Sequence, residues 1–182
     1  MTTLLIGTTG MLSEAAKHMV QAAPGTISVV SRRADTFSFG DADLDDRTTS
    51  HPVDWQDQAA FLATLDAIAS NHGPFTQALV WMHGRDDPLR AHIAHHMADD
   101  SVLVEVLGSA ASRPGAFGDI RVRQMQASPH IRYRQVLLGF VYDDGQSRWL
   151  THAEICAGTI EALSSDETVT VAGQVEPWEL KP

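Results

Sequence analysis

Short apolar runs alternate with amphipathic stretches along most of the chain. Leu4-Leu5-Ile6 is an uninterrupted apolar run closed by Gly7, the pattern of a strand buried on both faces. Leu12, Ala15, Ala16, Met19, Val20 and Ala23 then recur at helical spacing, and Pro24-Gly25 ends that helix. Thr26–Ser31 is short and β-branched and predicts a second strand. Strand, helix and strand together occupy about thirty residues, the length of one βαβ unit. Residues 34–50 are polar and read as a mobile surface loop where a helix could stand. Asp41, Asp43 and Asp45 have calcium-loop spacing, but the loop glycine is missing and Pro52 replaces the closing glutamate, which excludes that site. His51-Pro52-Val53 predicts a brief third strand, and its proline confines it to a sheet edge.

The second half continues the alternation. Asp54-Trp55-Gln56-Asp57 opens a helix carrying Phe61, Leu62, Leu65, Ile68 and Ala69, with Asp54 a suitable N-cap. After the break at Asn71-His72-Gly73-Pro74, Phe75–Met82 predicts a fourth strand with His83-Gly84 at its carboxyl end. Asp86-Asp87-Pro88 starts a helix whose inner face is Leu89, Ile93 and Met97. Ser101–Leu107 is a fifth strand, followed by Gly108-Ser109-Ala110. Residues 111–130, with Pro114, Gly115, Gly118 and Pro129, leave room for one short helix around Ile120–Ala127. Ile131–Tyr142 reads as one long strand and Asp143-Asp144-Gly145-Gln146 as a turn. Thr151-x-x-Glu154 is a capping box ahead of Ile155, Ile160 and Leu163, and Thr168–Gly173 is a last strand. This alternation predicts an α/β protein: a single Rossmann-like doubly wound parallel sheet of about seven strands in the order 3-2-1-4-5-6-7. Helices cover both faces, and one domain spans 1–182.

Composition narrows the function classes. The net charge of −10 argues against nucleic acid or an anionic membrane as the main partner. No apolar run approaches membrane-spanning length. The chain has one cysteine, Cys156, and no charged leader or cleavage site, so a cytoplasmic location is expected. The nine histidines are scattered. His92 and His96 lie one turn apart with His95 beside them, but no glutamate follows the first and no third ligand is evident. They read as a helix face, at a subunit contact, and no metal is expected.

The stretch with chemistry is Gly7-Thr8-Thr9-Gly10-Met11-Leu12, between strand and helix. Such a turn offers backbone N–H groups and the positive end of a helix dipole to a phosphate. Gly7 permits the sharp turn and Gly10 close approach of a pyrophosphate, while Ser13 is small enough for helix–strand packing. Arg32-Arg33 stand where the second strand of a dinucleotide fold meets the adenosine ribose. Guanidinium groups suit a 2′-phosphate, which points to NADP(H) rather than NAD.

With Gly7–Leu12, Tyr133–Val141 and Ser147–Ile155, the chain resembles the short-chain dehydrogenase/reductase superfamily, as a small divergent branch. The resemblance implies that Gly7–Leu12 cradle the pyrophosphate, that Arg32 and Arg33 take the 2′-phosphate and that Asp54 sits by the adenine. His83-Gly84 falls at the family's Asn-Asn-Ala-Gly segment, with only Gly84 matching. Ser109 falls at the catalytic serine. Leu138-Gly139-x-Val141 resembles the segment lining the nicotinamide. A homodimer or tetramer is implied, paired through the helices after the fourth and fifth strands. The family's tyrosine with a lysine four residues later is absent: the two lysines, Lys17 and Lys181, follow no tyrosine at that spacing. The helix that should carry the pair reads as largely missing. Ser109, Tyr133 and His83 therefore remain as candidate acids of an NADP(H)-dependent reductase acting on a small carbonyl or alcohol. The alternative is a non-catalytic NADP(H)-binding sensor or scaffold.

Overall fold

The computed structural model describes residues 1–84, 87–112 and 117–182. Asp86, expected to help open a helix, and Pro114 and Gly115, expected to interrupt the segment after the fifth strand, lie outside the described residues. Seven strands form one parallel sheet: β1 (Thr2–Ile6), β2 (Thr26–Ser31), β3 (Thr48–Pro52), β4 (Phe75–Trp81), β5 (Met97–Leu107), β6 (Ile131–Leu138) and, last in the chain, β9 (Val169–Ala172). Their spatial order is β3-β2-β1-β4-β5-β6-β9. This is the anticipated doubly wound order; the final strand is ninth because a hairpin, β7 (Phe140–Asp143) and β8 (Gln146–Trp149), precedes it.

Side-chain alternation divides the core into two layers. Leu5, Val29, Leu79, Val104, Val106 and Val136 face α1 (Ser13–Gln21) and α6 (His152–Ser164). Leu4, Ile6, Ala78, Val80 and Leu103 face α3 (Gln58–His72), α4 (Asp87–His95) and α5 (Phe117–Met125). β1 is buried along its whole length, as its apolar run requires.

Four local expectations change. The polar segment after β2 is not an open loop: it forms a 3-10 turn at Ala34–Thr36 and α2 (Ala42–Asp46). Asp41 caps that helix by accepting from the Leu44 N–H, and Asp45 accepts from Ser38 and the Phe39 N–H. The N-cap of α3 is Asp57, which accepts from Ala60 N at 3.1 Å; Asp54 instead closes a local turn through the Gln56 N–H. Met97 belongs to β5 rather than to the preceding helix. The expected single strand 131–142 breaks at Gly139, where an added Cβ would lie 2.1 Å from the Gln174 carbonyl oxygen. Phe140 and Gln174 exchange two backbone hydrogen bonds of 2.9 Å there, and the chain turns out of the sheet into the hairpin. Asp144 and Gly145, both at positive φ (48° and 77°), make the tight turn that matches strand twist in a two-residue hairpin.

The hairpin is tied to α6. Thr151 and Glu154 form the anticipated capping box, and Arg148 in β8 makes two 2.8 Å hydrogen bonds to the Glu154 carboxylate. The Arg148 guanidinium, then the Thr151 N–H and hydroxyl, lower the Glu154 carboxyl from an ordinary 4.5 to about 2. A folded-state value below the ordinary one stabilises the protein above the ordinary range and ceases to do so as pH falls through the lowered value. Between pH 4.5 and about 2, wild type is therefore expected to lose more stability than Glu154→Gln. Denaturant melts across that window check the sign.

Candidate functional site

Because all seven strands run the same way, every loop that leaves a carboxyl end emerges on one edge of the sheet. The loops after β1, β2, β3, β4, β5 and β6 carry Gly7–Leu12, Arg32-Arg33, Asp54, His83-Gly84, Ser109 and Gly139 respectively. Among the candidate residues, only Tyr133 lies within a strand of this sheet.

Gly7 has φ +67°, and its N–H donates to the Val30 carbonyl at 3.0 Å. An added Cβ would stand 2.1 Å from the Trp81 carbonyl oxygen, so the turn is pressed against the end of β4. Thr8 is fully buried, and its hydroxyl has no hydrogen-bond partner among the described residues. Gly10 is the opposite case: a Cβ there would meet nothing within 4 Å. The turn is thus closed beneath Gly7 and open at Gly10, immediately before α1. Leu12 is buried as the inner anchor of that helix, and the Met11 carbonyl accepts from Cys156 Sγ at 3.0 Å.

A cleft of about 440 Å³ opens beside this turn, lined by Thr9, Ser13, Glu14, Lys17, Arg33 and the segment Thr36–Phe39. Thr9 Oγ1 lies 3.3 Å from Ser31 Oγ, which holds the turn to the end of β2. Lys17 donates to the Phe39 carbonyl at 2.9 Å. The arginine pair separates. Arg33 lines the cleft, whereas the Arg32 Nε lies 4.0 Å from Asp54 Oδ2, a long and solvent-exposed ion pair beside the end of β3.

Farther along the edge, Gly108, Ser109, Leu138, Gly139, Trp149, Leu150 and Ile155 enclose a smaller pocket of about 140 Å³. Ser109 and Gly139 are therefore brought together, with the end of the hairpin above them. Val141 is not part of this pocket; it pairs with Arg148 inside the hairpin. His83 and Gly84 are exposed after β4, Gly84 at φ +96°, and the His83 ring meets Trp81 edge-on at 4.8 Å.

Tyr133 is elsewhere. It pairs with Leu103, four residues short of the end of β5, and faces the layer of α4 and α5. Its hydroxyl donates to Glu105 Oε2 at 2.8 Å. Glu105 is 3% exposed; its carboxylate also accepts from Arg90 in α4 and lies 3.5 Å from Arg121 Nε in α5. Burial first, and then the adjacent carboxylate, push the Tyr133 phenol far above its ordinary range. A buried phenol that holds its proton this firmly, away from the open edge, is a core hydrogen-bond donor; this corrects its assignment as a candidate acid. α5, nine residues from Phe117 to Met125, is the one short helix expected in this segment, begun three residues earlier than the expected Ile120. It carries neither tyrosine nor lysine. Glu105 and its two arginines were not singled out from the sequence. A lone acid between Val104 and Val106 in an apolar strand was the available signal, since such a charge needs partners.

No protein-family model matches the chain, and no curated protein does. Solved structures do match. A short-chain dehydrogenase/reductase (glucose/ribitol dehydrogenase) from Brucella melitensis is 14% identical, with 94% of this chain and 95% of that one covered at a TM-score of 0.64. A bulky-bulky ketone specific alcohol dehydrogenase from Comamonas testosteroni is 12% identical over 98% and 88%, at 0.68. An NAD+-bound xylitol dehydrogenase is 13% identical over 95% and 98%, at 0.67. The chain has the short-chain dehydrogenase/reductase fold.

Two substitutions test the scaffold. Gly7→Ala forces a Cβ into the Trp81 carbonyl at positive φ and is expected to cost roughly 3 kcal/mol in urea unfolding. Tyr133→Phe removes the hydroxyl that donates to Glu105 and is expected to cost about 1–2 kcal/mol in the same unfolding.

Proposed function

We propose that this chain is an NADP(H)-binding oxidoreductase that acts on a small carbonyl or alcohol. The observation that carries the reading is the cleft running from the glycine turn to Arg33. It combines Thr9 of the turn, whose neighbour Gly10 is unobstructed, with Ser13, Glu14 and Lys17 of the first turns of α1 and the Arg33 guanidinium across from them. This donor set fits a phosphate-rich adenosine half. The Ser109 pocket, beyond the point where strand order reverses between β1 and β4, fits the other half of an elongated dinucleotide. One relative in fold, the xylitol dehydrogenase, is NAD+-bound.

In this reading the N–H groups of Thr8–Leu12 and the dipole of α1 hold the pyrophosphate. Arg33 pairs with the 2′-phosphate, while Arg32 and Asp54 flank the adenine. Gly139 borders the nicotinamide half in the Ser109 pocket, while Gly84 stands at the neighbouring end of β4 and Val141 within the hairpin above. When bound, the cofactor supplies hydride exchange at its nicotinamide ring. Ser109 orients the substrate oxygen by a hydrogen bond, and the exposed His83 imidazole at the end of β4 carries the proton. Trp149 and Leu150 shield the pocket from water. A second reading, a non-catalytic NADP(H) sensor, is favoured by one observation: Tyr133 is committed to Glu105 and α5 offers no replacement.

Calorimetry with NADPH and NADH tests the phosphate assignment. Wild type is expected to prefer NADPH, and Arg33→Ala to lose about 10–100-fold of NADPH affinity with NADH affinity unchanged. Equal affinities in wild type would remove the 2′-phosphate reading. NADPH oxidation against a panel of small carbonyls, with Ser109→Ala and His83→Ala lowering kcat, supports the enzyme; binding without turnover selects the sensor.

A further inference from the structure

On the α3 and α4 layer, three side chains converge that the dinucleotide site does not use. His92 and His96 project from the last turn of α4 and the residue beyond it, one turn apart and on one side, as i, i+4 residues do. Asp66 projects from α3 between them, and its Oδ1 lies 2.7 Å from His92 Nε2 and 2.7 Å from His96 Nε2. The three ligand atoms all lie within 4.8 Å of one another. Asp66 supplies the third ligand that the histidine spacing lacked in the sequence. It comes from a different helix, 26 residues before His92.

We propose that Asp66, His92 and His96 form a binding site for a borderline divalent transition ion, zinc in the first instance, bracing α3 against α4. Two imidazoles and one carboxylate are a donor set for zinc rather than for magnesium or calcium, which take oxygen ligands. Three protein ligands leave a fourth tetrahedral position to water, which the partial exposure of all three residues provides. Ligand atoms on a tetrahedral zinc stand about 3.3 Å apart. The two 2.7 Å contacts to Asp66 would open by a fraction of an ångström, and the two imidazole nitrogens, which lie within 4.8 Å of one another, would close toward that spacing by side-chain rotation. To hold the ion, each neutral imidazole carries its single ring proton on Nδ1 and presents the Nε2 lone pair, so an Nε2–H that meets Asp66 in the metal-free state passes to Nδ1 by tautomer exchange through solvent.

The site faces away from the dinucleotide edge. The His96 carbonyl accepts from the N–H of Phe75, the first residue of β4, at 2.8 Å, so the cluster sits by the amino ends of the strands. Its expected effect is on stability. An ion that binds only the folded chain raises Tm by mass action, roughly 5–10 °C for a chain of this size at a hundredfold excess over Kd.

Titration of the metal-free full-length chain with zinc chloride, by calorimetry and by thermal melts, tests the assignment. One zinc per chain at micromolar or tighter Kd is expected, with the Tm rise, and no comparable response to magnesium chloride. Asp66→Ala and the double variant His92→Ala/His96→Ala are each expected to weaken binding at least about 10-fold. His152→Ala, an exposed histidine on α6, leaves binding intact. If the double variant does not fold, exposed Asp66→Ala carries the test. Absence of micromolar zinc binding in wild type overturns the proposal. So does binding that is undiminished in folded Asp66→Ala or the folded double variant, which would mean that scattered histidines hold the ion.

Discussion

The constraint on which the molecule depends is that its seven-stranded sheet is wholly parallel. A parallel pair needs a crossover, crossovers place helices on both faces, and a strand covered on both faces must be apolar along its length. Leu4-Leu5-Ile6 meets that demand at the centre. The same constraint gathers six loops on one edge without any contact between them having to specify it. The clefts at Arg33 and at Ser109 lie on that edge on opposite sides of the β1/β4 crossover, with the glycine turn between them. The hairpin β7–β8 adds to this edge rather than to the sheet, and its union with α6 through Arg148 and Glu154 supplies one wall of the smaller pocket.

Glu105 is the main departure from an apolar core. A carboxylate left alone in that layer would be costly, and groups from three elements offset the cost: Arg90 from α4 and Tyr133 from β6 donate to it, and the Arg121 guanidinium from α5 lies 3.5 Å away as an ion-pair partner. These groups are directional where the surrounding Leu and Val contacts are not. They fix how α4 and α5 sit over β5 and β6, and so where the loop bearing Ser109 leaves the sheet. Arg134 does comparable work on the other face, donating to the Ala162 and Leu163 carbonyls at the end of α6 and reaching Asp166 Oδ1 at 3.3 Å.

Most of the fold was legible because period and punctuation agree. The apolar runs, Pro24-Gly25, Pro52 and the Thr151–Glu154 box each predicted an element or boundary that the structure contains. Asp54 and Asp57 both suit an N-cap, and only the backbone path selects Asp57. Gly139 was hidden within an apolar stretch, because what ends β6 there is a backbone thirty-five residues later in the chain, at Gln174. At the site, the glycine turn and its neighbours on the edge followed from strand order alone. Tyr133 misled because its residue type suits proton transfer, whereas its position midway along β6, facing Glu105, follows from register and side-chain parity. Asp66 was illegible for the same kind of reason: nothing local relates an acid on α3 to imidazoles on α4.

The meeting of Gly139 with Gln174 sets the segment after β9 directly behind Gly139, one of the residues lining the Ser109 pocket. With no room for even one methyl group between the two backbones, this seam is held by paired main-chain bonds rather than by interdigitating side chains. Seams of that kind part as a unit. Transient peeling of the strand-like segment around Gln174 would enlarge the small pocket while the larger cleft beside α1 kept its shape, so that the two ends of one elongated ligand would face walls of unequal stiffness.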